Sequence, residues 1–143
     1  GTVRVRTFLP TELILPFRLG AHDVVLLALA YLAFKHMIGD FFLQAKYQWS
    51  NKGRYGHPGG LLHAAIHVLL SAPLLLILPP VNQEHGLVVL GAEFLVHYHC
   101  DWIKEQVVKA NQWTFQNDAF WRAMGMDQFV HGLTYIAMVR ALV

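Results

Sequence analysis

Charge is what this sequence has least of. Only 14% of its 143 residues are Asp, Glu, Lys or Arg, where a soluble domain carries about a quarter. That scarcity argues against an ordinary water-facing surface. Cysteine is reduced to one residue, Cys100. A disulfide framework is therefore excluded, and cysteine usage says nothing of the redox compartment. The formal net charge is only +2 and is scattered along the chain, so nucleic acid is not an expected partner. The opening "GTVRVRTFLP" has arginines but no apolar core leading to a small-residue cleavage site, and no signal peptide is expected. No solenoid-type repeat and no low-complexity tract is present.

What the sequence does have is apolar material, 55% of the chain, gathered into long runs. Four segments, at about 24–43, 61–78, 87–103 and 125–143, approach the ~20 residues that cross a bilayer. In lipid each backbone N–H and C=O needs an internal partner, so these segments should be helices. The expected fold is all-α: a polytopic membrane protein whose four transmembrane helices form an up-down bundle over residues 23–143. The alternative, a soluble all-α domain with buried helices, fits the run lengths less well. Asp23 is placed to cap the first helix. "HPGG" opens the second, Pro79–Pro80 closes it, and Pro73 should kink it. Residues 1–22 read as a short interfacial segment, with Leu13, Ile14, Leu15 and Phe17 beside Arg18.

The loop after the first helix holds Lys46, Lys52 and Arg54, and the loop after the third holds Lys104, Lys109 and Arg122. The intervening "PPVNQEHG" has neither Lys nor Arg. The positive-inside rule places the two basic loops in the cytoplasm. Arg4, Arg6, Arg18 and Arg140 oppose that orientation, while Trp49, Trp102, Trp113 and Trp121 all gather on the basic side, as an interfacial belt would. The expected location is the bacterial inner membrane, with the lipid bilayer as partner.

Polar residues interrupt these runs in a pattern. The first helix carries "HMIGDFFLQ", with His36 and Asp40; the second "HAAIH", with His63 and His67; the third "HYHCD", with His97 and Asp101; the fourth "DQFVH", with Asp127 and His131. Each helix thus bears one pair at i, i+4, which shares a helix face. Each pair also lies near the basic-side end, so all eight side chains should converge on one layer. An Asp near the middle of a membrane helix costs roughly 2.5–3.5 kcal/mol on insertion scales. Three aspartates and five histidines must therefore meet partners inside the bundle. Mutual His–Asp hydrogen bonding, or a proton relay, is one solution. Metal fits better, because imidazole and carboxylate are ligands of Zn²⁺, Fe²⁺ and Mn²⁺.

Eight ligands are too many for one tetrahedral zinc and suit two divalent ions. Helical bundles build dinuclear sites from paired ligands on facing helices. The richness in histidine favours zinc or manganese hydrolysis, with iron the alternative. Asp40 or Asp101 is the candidate bridge or proton acceptor. His97 is preferred to His99 because it keeps the four-residue spacing to Asp101. Gln44 is either a donor to a ligand or an interfacial residue, and Glu93, one turn before His97, reads as structural more than as part of the site. Lys35 should snorkel or pair within the bundle, and Tyr31 and Tyr135 are possible donors toward it. Cys100 should point to another face, as a small buried hydrophobe. His22, His57 and His85 fall at helix ends or in loops. "NQWTFQND", 111–118, reads as a surface loop or an amphipathic lid.

Taken as an ordered set, "HMIGDFFLQ", "HAAIH", "HYHCDW" and "DQFVH" resemble the blocks of a bacterial and phage family of small integral membrane proteins, catalogued as a domain of unknown function (DUF3307). The resemblance runs from about residue 24 to the C-terminus. It implies a four-helix membrane protein and supplies no reaction. Three functions remain in view. The first is a metal-dependent hydrolase acting on a lipid-like or phosphoester substrate. The second is a histidine-rich di-iron oxidoreductase. The third is a non-enzymatic accessory subunit of a larger membrane complex, its helices tied by a structural metal. Haem ligation would leave three aspartates unexplained.

Overall fold

The computed structural model describes residues 20–143. The expected interfacial segment and the opposing Arg4, Arg6 and Arg18 lie almost wholly outside the described residues. The fold is all-α: 78% of the described residues are helical, and none forms a strand.

Helix α1 spans Ala21–Met37 and runs into a π-helical turn, Ile38–Phe42. Its N-cap is Gly20, not Asp23; the Asp23 carboxylate reaches back instead and accepts the Gly20 N–H at 2.7 Å. The short α2, Lys46–Trp49, fills the basic-side loop. Helix α3, Pro58–Ser71, starts as the sequence suggests. Pro58 takes the first turn, where its missing N–H costs nothing, and His57 Nδ1 accepts the Gly59 N–H at 3.0 Å. Pro73 does more than kink the second segment. It ends α3 and begins a separate turn, α4, Leu74–Ile77, because it has no N–H for the ladder and its ring crowds the preceding turn. Helices α5, Gln83–Ala110, and α6, Asp118–Leu142, extend well beyond the apolar runs that mark them in the sequence. Asn82 caps α5 by accepting the His85 N–H at 2.8 Å.

The long helices pack in a closed ring: α1 on α3, α3 on α5, α5 on α6, and α6 back on α1. One end of the ring is apolar. Val24, Ala28 and Leu32 of α1 meet Leu74, Leu78, Val89, Met138 and Val139 there. Those residues open α1 and α5 and close α4 and α6, so ring neighbours run antiparallel. The opposite, basic-side end holds the polar residues.

Among the described residues two helical stretches, Ala21–Phe42 and Pro58–Ile77, are long and apolar enough to cross a membrane, where the sequence runs suggested four. In α5 and α6 the His and Asp residues join Glu93, Lys104, Glu105 and Arg122, and these dilute the apolar character of the helices. Large apolar side chains face outward on all four long helices, among them Leu26, Leu69, Leu87 and Phe129.

Candidate metal centre

The eight polar residues picked out by spacing lie in one connected layer. The i, i+4 pairs are in contact on their own helices. His36 Nε2 lies 3.1 Å from Asp40 Oδ2, His131 Nε2 lies 3.4 Å from Asp127 Oδ1, and His97 Nε2 lies 3.6 Å from Asp101 Oδ2. The His63 and His67 rings are 4.7 Å apart. Contacts between helices close the layer. Asp40 Oδ1 lies 3.0 Å from His67 Nε2 and 3.2 Å from His63 Nε2. Asp101 is 3.4 Å from both His63 Nε2 and His131 Nε2. His67, His97 and His131 stack in a column, with ring centroids 4.0 and 4.1 Å apart.

The π turn helps to build this layer. Its Leu43 N–H reaches the Ile38 carbonyl at 3.0 Å, five residues back, so the chain rotates less per residue than in an α-helix. Gly39 sits at the crossing with α3. A Cβ there would come within 2.5 Å of the His67 ring, so only glycine lets the backbone approach this closely.

Three groups of side chains offer ligand atoms within 4.8 Å of one another: Asp40, His63, His67 and His97; then His97, Asp101 and His131; then Cys100, Asp127 and His131. His97 is common to two groups, but a neutral imidazole nitrogen has one lone pair and serves one ion. Five of the residues, His63, His67, His97, Asp101 and His131, are at most 4% exposed. Burying polar atoms without partners is costly, yet His63 Nε2, His97 Nε2 and His67 Nδ1 have no hydrogen-bond partner among the described residues. His63 Nε2 and His97 Nε2 lie 3.2 and 3.6 Å from Asp40 and Asp101 without making a hydrogen bond, so nitrogens and carboxylates face a space that fits a cation.

His36 stands apart. It lies in the layer, but Nδ1 pairs with Tyr135 Oη at 2.7 Å and Nε2 with Gln128 Oε1 at 2.8 Å. Both nitrogens are occupied, and His36 belongs to none of the three ligand groups. His99 lies outside the layer, with Nε2 3.0 Å from Tyr55 Oη and Nδ1 donating to the Leu95 carbonyl at 2.7 Å. Cys100 does not point away as the sequence suggested: its thiol donates to Asp127 Oδ1 at 3.4 Å. Gln44 donates to the Asp40 carbonyl at 3.2 Å, and Tyr31 donates to the Leu70 carbonyl at 2.6 Å.

Several residues of the layer carry no signal in spacing. Gln128 donates to Asp40 Oδ2 at 3.0 Å and to Asp127 Oδ2 at 3.3 Å, joining two aspartates. Lys52, from the loop after α2, is buried and lies 2.9 Å from Asp101 Oδ2. Gln48 of α2 meets His63 Nδ1 at 3.4 Å. One turn deeper, Lys35 and Glu93 form a buried ion pair. Lys35 also donates to the His67 carbonyl at 3.2 Å, and Ser71 donates to Glu93 at 2.8 Å. The layer opens toward the basic side through a cavity of about 580 Å³ whose walls include Asp40, Asp127, Gln128, Lys52 and Lys104.

No curated protein and no solved structure matches this chain. The family described as "Protein of unknown function (DUF3307)" matches residues 27–143, its blocks covering every helix of the polar layer, and the chain belongs to that family.

Proposed function

We propose that the protein is a membrane-embedded, dinuclear metal-dependent hydrolase acting on phosphoester or lipid-like substrates. One observation carries the reading: buried imidazoles and carboxylates converge in overlapping ligand groups, beside a cavity that reaches Asp40 and Asp127. A structural metal site is coordinatively closed, whereas a catalytic one keeps an open position. The cavity at Asp40 and Asp127 supports the second case.

All four long helices cross the bacterial inner membrane in this reading, with the basic end at the cytoplasmic face. The outward-facing leucines and phenylalanines support it, since lipid tolerates a surface that water would not. Asp40, His63 and His67 would hold one ion, and His97, Asp101 and His131 the other, with Asp127 beside His131. Of the two aspartates suggested by the sequence, Asp101, 3.4 Å from both His63 and His131, would be the better placed to serve both groups. His36 orients Asp40 and is held in turn by Tyr135 and Gln128, as partners of metal ligands commonly are.

Bound divalent metals supply a water of lowered pKa and a clamp for developing oxyanion charge. The chain's own residues do the rest. Lys52 and Lys104 draw an anionic group into the mouth, and Gln128 fixes the two carboxylates that face it. Water adds to phosphorus, the P–O bond to the alcohol breaks, and the alcohol leaves with a proton.

The test is metal content of detergent-purified protein by mass spectrometry, beside an Asp40→Ala/His67→Ala double variant, with phosphomonoester and ester hydrolysis assayed on both. About two zinc or manganese ions per chain, with ions and hydrolysis both lost in the variant, is the expected result. Two irons would turn the reading to oxygen chemistry. Two ions without hydrolysis would favour the accessory-subunit role, and no metal would end the proposal.

A further inference from the structure

A second cavity, of about 840 Å³, lies in the seam between α5 and α6. Its walls are mostly apolar. Val96 and Val130 line its deep end, Lys104 and Arg122 stand beside Ile103 and Ala123 at the middle, and Val107, Ala119 and Trp113 continue it toward the basic side. Lys104 pairs with Glu105 at 2.9 Å. Arg122 is exposed, and no salt bridge engages it among the described residues. The groove therefore runs from an uncompensated cation into an apolar slot between two helices.

This groove also touches the polar layer. Asp127 and Lys104 line both it and the mouth of the candidate metal centre, and Cys100, midway along the wall, donates to Asp127. A headgroup between Arg122 and Lys104 would set the ester region toward Cys100 and Asp127 and leave the acyl chain to continue against Val96 and Val130. Arginine matches phosphate through paired N–H donors, and tryptophan suits the headgroup level.

We infer that the α5–α6 groove binds an anionic phospholipid of the bilayer, with one acyl chain in the slot and the phosphate at Arg122 and Lys104, and that this lipid is the substrate of the adjoining site. The second clause rests on the hydrolase reading; the binding does not.

The test uses the full chain, reconstituted in vesicles of equal phosphatidylglycerol and phosphatidylcholine, re-extracted in mild detergent and weighed by native mass spectrometry. One phosphatidylglycerol per chain should be retained in preference to phosphatidylcholine, by about fivefold for each cation that the phosphate meets. Arg122→Glu, a surface change, should remove that preference. Ala123→Trp, which fills the slot, should empty it of either lipid. Equal retention of both lipids would overturn the inference. So would retention that neither variant alters, or a dimer mass in which a second chain takes the lipid's place. The same spectra count metal. Selective lipid without metal would sink the hydrolase reading and leave the lipid site standing; metal without lipid selectivity would do the reverse.

Discussion

Leu32 and His67 are both completely buried, and they lie on neighbouring helices, one in the apolar cluster and the other in the polar layer. Around Leu32 the neighbours are apolar: Ala28, Leu74, Met138 and their like. Around His67 they are Asp40, His63, His97 and the Lys35 ammonium at its carbonyl. Equal burial therefore means different things. At the apolar end the contacts are many and individually weak, and losing one leaves a smaller contact surface. At the polar end each group depends on a particular partner, and removing one leaves another buried and unanswered. Identical burial thus gives one end graded tolerance and the other strict mutual dependence.

The sharpest way to break this comparison is at the boundary between the two ends. Lys35→Met leaves the Glu93 carboxylate buried without its cation and should cost about 3–5 kcal/mol. The double variant Lys35→Met/Glu93→Leu should recover most of it, because two apolar residues need no partner. Unfolding in mixed micelles followed by circular dichroism reads both. A single variant as stable as the parent would show that the pair is not a dependent one. Leu32→Ala should cost somewhat less, about 3 kcal/mol, and should leave the metal content of the purified protein unchanged. Loss of metal in that variant would mean that the ends are not separable. The smallest effect belongs to His99→Ala. That change should stay within about 0.5 kcal/mol and retain metal, in contrast to any change at His97. A His99 variant depleted of metal would reassign the ligand on α5.

The sequence made the layer legible because all four pairs obey one helical spacing and all lie at the same end of their runs. Nothing comparable announced the residues that hold the layer. Gln128 neighbours Asp127 in sequence, and a helix turns about 100° between them; only the crossing with α1 brings its amide to Asp40. Lys52 comes from a loop, where periodicity has no hold. Lys35 and Glu93 are 58 residues apart; the sequence sets one beside His36 and the other one turn before His97, but nothing in it names either as the other's partner. The helix ends misled for a related reason. Hydropathy marks where a segment is apolar, whereas α5 and α6 continue through polar turns as long as their backbone ladders do. Pro73 was visible as a disturbance, but how far it divides the segment depends on packing beyond the residue itself.

The π turn at Ile38–Phe42 gives α1 a change of phase. A wheel drawn at constant pitch from His36 would carry Leu43 back to the inward face, two full turns on. The slower winding of the π turn instead brings Asp40 almost directly into line with His36, and Leu43 faces outward, 46% exposed. One residue of chain has in effect been stored inside the helix. Deleting Phe41 or Phe42 would erase the phase offset and swing the chain that follows Asp40, Leu43 included, to another face of the helix.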